Sequence, residues 1–176
     1  MVRLEQQSSD YKTMNDRNPV LSEIYNHLFD REYMSGIERE NTRVKATGEV
    51  FTPTPLVEEI LDKMDPALFG EAEKTFLDPA CGDGQFLASV LYRKLQNEHD
   101  FETALSTTYG VDLMPDNVKL CQDRLLCGRE DLRHIVEQNI VCADGLRYHY
   151  RFDDSHPYDD EVKEQQKQEH FNSLFE

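Results

Sequence analysis

The sequence is poor in positive charge. Its 176 residues include 19 lysines and arginines against 35 aspartates and glutamates, which gives a formal net charge of −16 at pH 7. Proteins that grip duplex DNA usually neutralise its phosphates with lysine and arginine. The basic-leaning stretch that we identify, residues 39–45, is short and interrupted by acids. We therefore expect this chain to bind DNA only weakly when it is alone.

Long apolar runs are also absent. No run approaches the eighteen or so residues that a membrane-spanning helix needs. The N-terminal residues 1–6 lack the apolar core of a secretory signal peptide, so we expect a cytoplasmic protein without a membrane partner. With 38% apolar and 31% charged residues, the chain has the composition of one soluble domain with a core of its own.

Cysteine pairs of the metal-binding type are missing as well. The four cysteines show no Cys-x-x-Cys spacing, and each lies in or beside an apolar pattern. We interpret them as reduced core residues, and we expect neither a metal site nor a disulfide. These cysteines are Cys81, Cys121, Cys127 and Cys142.

One stretch, residues 75–87, organises the rest of the chain. A short apolar run ends at Asp78, a turn with Gly82 and Gly84 follows, and an apolar helical pattern begins at Phe86. Where a parallel strand passes into a helix, glycines let the backbone approach a ligand, and the first N–H groups of the helix can bind it. The turn lacks the third glycine of the dinucleotide fingerprint and the Gly-Lys-Ser/Thr of triphosphate-binding loops. The pattern favours a nucleoside-like ligand other than NAD or ATP.

Two further predicted strands also end at an acid. Residues 109–112 end at Asp112, and residues 139–144 end at Asp144. An acid after the second strand of such a unit is placed to accept hydrogen bonds from ribose hydroxyls. Because parallel strands end at the same edge of a sheet, the aspartates at 78, 112 and 144 predict one ligand lying across that edge.

Proline marks the starts of two predicted helices. Asn18-Pro19 and Thr54-Pro55 each have the sequence of an N-cap followed by the first helical residue. The helix after Asn18 carries an apolar stripe, which could bind a partner but is more typical of a helix packed on the core. We assign this stripe to the core.

The nonapeptide from Asp78 to Phe86, Asp-Pro-Ala-Cys-Gly-Asp-Gly-Gln-Phe, resembles the S-adenosylmethionine loop of the amino-group DNA methyltransferases. The resemblance is strongest to the adenine-specific (N6) modification subunits of restriction-modification systems, and a short homologue of phage type would fit it. It covers residues of about 48–145. It implies an α/β fold, a Rossmann-like class I methyltransferase core truncated to about three parallel strands with helices on both faces.

The resemblance also implies the residues of a cofactor site. A family segment Gly-x-x-(Tyr/Phe)-Thr-Pro lies against the cofactor, and residues 48–53 match it in type and order. The family's acid after the third strand hydrogen-bonds the adenine amine, and Asp144 falls on that position. The implied site for S-adenosyl-L-methionine consists of Phe51, Thr52, Pro53, Asp78, Pro79, Ala80, Cys81, Gly82, Gly84, Phe86, Asp112, Leu113, Asp144 and Gly145.

From Leu146 onwards the sequence departs from the family pattern. The family continues with a fourth apolar strand and the loop Asn/Asp/Ser-Pro-Pro-aromatic, which holds a flipped base. Here no strand is legible, and the tetrapeptide Ser155-His156-Pro157-Tyr158 matches that loop at three of four places. We assign no catalytic residue. We divide the chain into an N-terminal tail and amphipathic helix (1–47), a cofactor-binding core (48–145) and an acidic C-terminal tail (146–176).

The resemblance implies an adenine-specific DNA methyltransferase or modification-subunit homologue that is incomplete, or dependent on a partner, for catalysis. Such enzymes flip the target base and transfer the methyl group directly to its exocyclic nitrogen. The alternative is a non-catalytic cofactor-binding protein with a regulatory or anti-restriction role. In the resembled fold the first strand is central, so a missing fourth strand leaves one edge open. We expect the C-terminal tail, a protein partner or a second copy in a homo-oligomer to cover that edge.

Overall fold

A computed structural model describes residues 18–30 and 52–152. Within these residues the sheet consists of parallel strands only, which confirms the predicted α/β fold of Rossmann-like type. In their spatial order, the strands are β1 (Phe76–Asp78), β2 (Thr108–Asp112) and β3 (Ile140–Cys142). The register aligns Asp78 with Gly110 and Asp112 with Cys142, so all strands end at one carboxyl edge.

Helices connect the strands, as parallel pairing requires. No helix in the described ranges is long and apolar enough to span a membrane. The helices are α1 (Pro19–Phe29), α2 (Thr54–Leu61), α3 (Ala67–Gly70), α4 (Gln85–Gln96), α5 (Phe101–Ser106), α6 (Pro115–Leu126) and α7 (Arg133–Asn139), with a 3₁₀ turn at Glu130–Leu132.

The main core lies where α4 and α6 pack together beside the sheet. Leu87 and Leu91 of α4 are buried in one cluster with Cys121 and Leu125 of α6 and with Ile140 of β3. A smaller cluster joins α2 and α3 to the outer side of α4. Burying this apolar area supplies the main stabilising free energy, at about 25 cal/mol per Å². The helix that follows the glycine turn is therefore held on two sides.

Helix α1 belongs to the main core. Leu28 is fully buried in the main cluster, and Ile24 and Tyr25 pack against it, so the assignment of the apolar stripe to the core is confirmed. The side chain of Asn18 accepts hydrogen bonds from the N–H groups of Val20 and Leu21, as expected of an N-cap.

The predicted start of α2 is wrong by one residue. Pro53 occupies the N-cap and Thr54 is already the first helical residue. Among the described residues, no side chain caps the helix. Pro53 has an extended ψ of 141°, and its carbonyl accepts the N–H groups of Leu56 and Val57. The carbonyl of Pro53 therefore accepts the N–H groups that the sequence pattern assigned to the side chain of Thr54.

A buried arginine links α1, α6 and the glycine turn. The guanidinium of Arg124 donates to the carbonyl of Leu28 at 2.8 Å and to the side-chain oxygen of Gln85 at 3.1 Å. It also forms an ion pair with Asp83 at 3.4 Å, and the two charged side chains are 0% and 1% exposed. Because an isolated buried charge is costly, Arg124 and Asp83 depend on each other. This pair attaches the glycine turn to helices that are remote in sequence.

The glycine turn also fits directly against α6. Gly84 has a left-handed φ of +88° and stands at the N-cap of α4. A Cβ on Gly84 would lie 2.6 Å from the sulfur of Cys121, closer than such contacts come in proteins. Glycine is therefore required here both for the backbone conformation and for the packing.

We expect Arg124→Met to lower the free energy of unfolding by about 3–5 kcal/mol, because the change leaves Asp83 buried without its partner. Urea denaturation followed by circular dichroism measures this loss. Arg133→Met is the control, since Arg133 forms a more exposed ion pair with Glu130. Equal shifts of the unfolding midpoint in the two variants would show that the buried pair has no special role.

We expect Gly84→Ala to destabilise the protein more than Gly128→Ala does. Gly128 also has a positive φ, +77°, but a Cβ there meets no atom of residues 18–30 and 52–152 within 4 Å. Gly128→Ala should therefore cost only the left-handed strain of about 1–2 kcal/mol, whereas Gly84→Ala adds overpacking of about 1–3 kcal/mol. Cys121→Ala should recover part of the loss in the Gly84 variant. The packing argument fails if thermal unfolding gives the same loss at both glycines.

Candidate functional site

The carboxylate of Asp112 joins the loops at the carboxyl edge of the sheet. Its Oδ2 accepts the N–H of Gly82 at 2.9 Å, and its Oδ1 accepts the N–H of Met114 at 2.9 Å and the side-chain amide of Asn117 at 3.2 Å. The carbonyl of Asp112 accepts the N–H of Ala143 at 3.0 Å. One residue thus holds the loops that follow β1, β2 and β3.

Further contacts draw the same loops together. The N–H of Cys81 donates to the carbonyl of Val111 at 2.9 Å. Gly145 lies so close to the carbonyl of Pro79 that a Cβ would collide with it, so the loop after β3 passes directly against the loop after β1. The thiol of Cys142 contacts the carbonyl of Leu113 at 3.5 Å. The structure therefore brings together most of the predicted strand-end residues.

The three strand-end aspartates share one local geometry. Asp78 accepts the N–H of Ala80 at 3.0 Å, and Asp112 and Asp144 make the same bond, at 2.9 Å, to the residue two positions later. This is the Asx turn, in which the carboxylate orients the chain as it leaves the strand. All three aspartates are half-buried. The edge therefore presents three carboxylates in related orientations.

This edge is electronegative. Burial raises the pKa of Asp78, and the charge of Asp112 raises it further, while the N–H of Ala80 lowers it. A carboxylate offers about four acceptor positions, so each of the two can accept hydrogen bonds beyond those it makes within the protein. A ligand that brings positive charge or N–H and O–H donors would relieve the repulsion between them.

The cysteine in the glycine turn is a packing residue. Hydrogen bonding to the thiol of Cys121, together with burial, raises the pKa of Cys81 far above its ordinary value. The thiol therefore stays protonated and is a poor nucleophile. Within residues 18–30 and 52–152, no three His, Cys, Asp or Glu side chains form a group that could hold a metal ion.

The remaining predicted residues lie along α2 and α4 or outside the described part of the chain. Thr52 is half-buried and Pro53 exposed, just before α2. Phe86 packs against the cluster that joins α2 to α4. Phe51 lies outside the described residues, as does the tetrapeptide 155–158.

Three residues that support the site were missed in the sequence. Asp83 stands between the glycines of the turn, and Arg124 stands within the apolar stripe of α6; an acid and a base at buried positions are a signal for a buried pair. Asn117, on the first turn of α6, donates to Asp112. Its sequence position carries no distinctive signal.

Comparison with known proteins places the chain in a family. The family model described as N-6 DNA Methylase matches residues 18–166. The methylase subunit of the type I restriction enzyme EcoEI from Escherichia coli is 32% identical over 115 residues, which are 63% of this chain and 21% of that subunit. The chain thus spans about a fifth of the length of this curated relative, and no solved structure matches it. On the match over residues 18–166, the chain belongs to the N-6 DNA methylase family.

Proposed function

We propose that this chain binds S-adenosyl-L-methionine at the carboxyl edge of its sheet and works in adenine-specific (N6) methylation of DNA, as a modification-subunit homologue. The observation that carries the proposal is the position of Asp112, which holds the three strand-end loops together beside two further aspartates. When bound, S-adenosylmethionine supplies a methyl group on a positively charged sulfur, and its charge complements that of the acidic edge.

The residues of the edge have distinct proposed roles. Asp112 retains acceptor capacity beside its three internal hydrogen bonds and would accept the ribose hydroxyls. Asp144 would accept the adenine amine, and Asp78 would face the cationic end of the cofactor. Gly82, whose N–H is fixed on Asp112, lets the backbone of the turn come close to the ligand.

We further propose that methyl transfer requires groups beyond the described residues. The candidate base-holding loop is the tetrapeptide 155–158, and DNA recognition by an acidic chain calls for a protein partner. In the described part of the chain, β1 pairs only with β2. We propose that another segment, a second copy or a partner subunit covers the outer edge of β1.

Calorimetric titration with S-adenosylmethionine and S-adenosylhomocysteine tests the proposal. The wild type should bind both, and Asp112→Ala should weaken binding about ten- to hundredfold, because it removes charge-assisted hydrogen bonds of about 1.5–3 kcal/mol. Methyl transfer from labelled cofactor to unmodified DNA, with and without a candidate partner, separates an enzyme from a non-catalytic cofactor-binding protein. Absence of cofactor binding by the wild type would end the proposal.

We expect Asp78→Asn to weaken cofactor binding while leaving the unliganded protein at least as stable at pH 7. Since the folded-state pKa of Asp78 is raised from 3.8, ionised Asp78 costs stability at neutral pH. The advantage of the variant should shrink as the pH falls through the raised pKa, and it should vanish below about 3.8. Thermal unfolding as a function of pH measures this difference in stability between the variant and the wild type.

Asp65→Asn provides a matched control for Asp78→Asn. Asp65-Pro66-Ala67 repeats the sequence Asp78-Pro79-Ala80, and the carboxylate of Asp65 accepts the N–H of Ala67 at the same 3.0 Å. Asp65 is exposed and lies between α2 and α3, before β1. Its variant should leave cofactor binding unchanged. Equal effects of the two substitutions would remove Asp78 from the proposed site.

A further inference from the structure

Residues 147–152 alternate positively charged or imidazole side chains with aromatic ones. The first kind is exposed and the second is half-buried. In chain order, the residues are Arg147, Tyr148, His149, Tyr150, Arg151 and Phe152. The chain as a whole has a net charge of −16, whereas this segment carries two arginines and no acid. The sequence pattern alone assigned no role to these residues because they form no regular strand or helix.

The aromatic side chains form a continuous array against the sheet. The ring of Tyr148 lies 5.4 Å, between centroids, from the rings of both Tyr150 and Phe152. Phe152 in turn lies 4.6 Å from Tyr109 of β2. Aromatic pairs at these distances attract one another beyond simple area burial. With the rings packed together, the exposed side chains between them extend toward solvent.

The segment is attached to the candidate site itself. The hydroxyl of Tyr150 donates to the carbonyl of Gly145, which lies against Pro79 in the loop after β1. The side-chain amide of Gln138 donates to the carbonyl of Phe152 at 2.7 Å and fixes the other end. Residues 147–152, the positive segment, therefore begin where the carboxyl edge ends.

Arg147 stands at the boundary between the acidic edge and the positive segment. Its guanidinium lies 3.6 Å from the carboxylate of Asp144, yet its side chain is 75% exposed. An exposed pair of this kind is weak and easily exchanged for another anion. The pair with Asp144 therefore does not prevent the guanidinium from binding a phosphate.

We propose that residues 147–152 bind the backbone of a DNA strand and hold it beside the carboxyl edge. Identifying the ligand as DNA rests on the proposed function. Arginine matches phosphate in a bidentate way, and aromatic rings beside it offer faces for unstacked bases. An acidic protein would use the arginines but not the rings, so the interleaving favours a nucleic acid. Exposed acids elsewhere in the described part of the chain repel DNA, which favours contact at this segment.

The test is fluorescence anisotropy of labelled single-stranded and duplex DNA with the full chain, from low to moderate salt. Wild type should bind weakly, with an affinity that falls as salt rises. Arg147→Gln/Arg151→Gln should bind less tightly, and the slope of log affinity against log salt should decrease by about 1.4 for single strands or about 1.8 for duplex, as expected for two lost phosphate contacts. The single change Arg151→Gln, which spares the pair with Asp144, should give about half this decrease.

Arg129→Gln/Arg133→Gln is the matched control. It removes the same charge from exposed Arg129 and half-buried Arg133, which pair with Asp131 and Glu130. It should leave the salt slope unchanged. An equal decrease in this control would mean that only net charge matters, and absence of binding by wild type at low salt would also overturn the inference. The inference would also be overturned if polyglutamate, or RNA of the same sequence, displaced the labelled DNA better than unlabelled DNA does.

Titration of S-adenosylmethionine into the same variants separates the two proposals. Cofactor binding by the wild type and by Arg151→Gln, together with an unchanged salt slope, would reject the DNA-binding segment and leave the proposed cofactor site standing. A decreased slope in a protein that binds no cofactor would support the segment and reject the cofactor site.

Discussion

The hydrogen bonds to the carboxylate of Asp112 are the constraint on which the carboxyl edge depends. The loops after β1 and β2 would otherwise repel one another, because each begins with an aspartate. The N–H of Gly82 and the side chain of Asn117 neutralise part of that charge with dipoles and fix the distance between the loops. These hydrogen bonds shape the edge without a ligand, and such preorganisation would lower the entropic cost of the proposed cofactor binding.

The second constraint is the buried ion pair of Arg124 with Asp83, on the core side of the edge. Arg124 carries a buried charge whose partners come from the glycine turn and from the end of α1. A buried pair of this kind adds little net stability compared with an apolar one, but it tolerates no loss of either partner. It therefore fixes the position of the turn relative to the helices rather than simply strengthening the core. Helix α1, remote in sequence, becomes part of the support of the site.

The parts of this protein that could be predicted from its sequence are those with a local cause. The strand, turn and helix around Asp78 follow from short apolar runs and glycines, and each strand-end aspartate makes a hydrogen bond only two residues away. The contact of Gly84 with Cys121 and the pair of Arg124 with Asp83 join residues about forty positions apart, so no local pattern shows which residues meet. The N-cap of α2 is Pro53 and not the predicted Thr54, because a proline can take that position through its backbone alone.

The parallel pairing of the strands has a consequence for how the protein folds. Phe76 pairs with Thr108, and Gly110 pairs with Ile140, so each pairing must close a loop of some thirty residues before it gains any hydrogen bond. Helix α4 can form earlier, since its backbone hydrogen bonds are local, and its apolar face offers β2 a surface to dock on. The loops that carry the aspartates come together only when both pairings are complete. A ligand that touches all of them selects the finished fold over every partly folded form, and its concentration would govern the folded fraction of the protein.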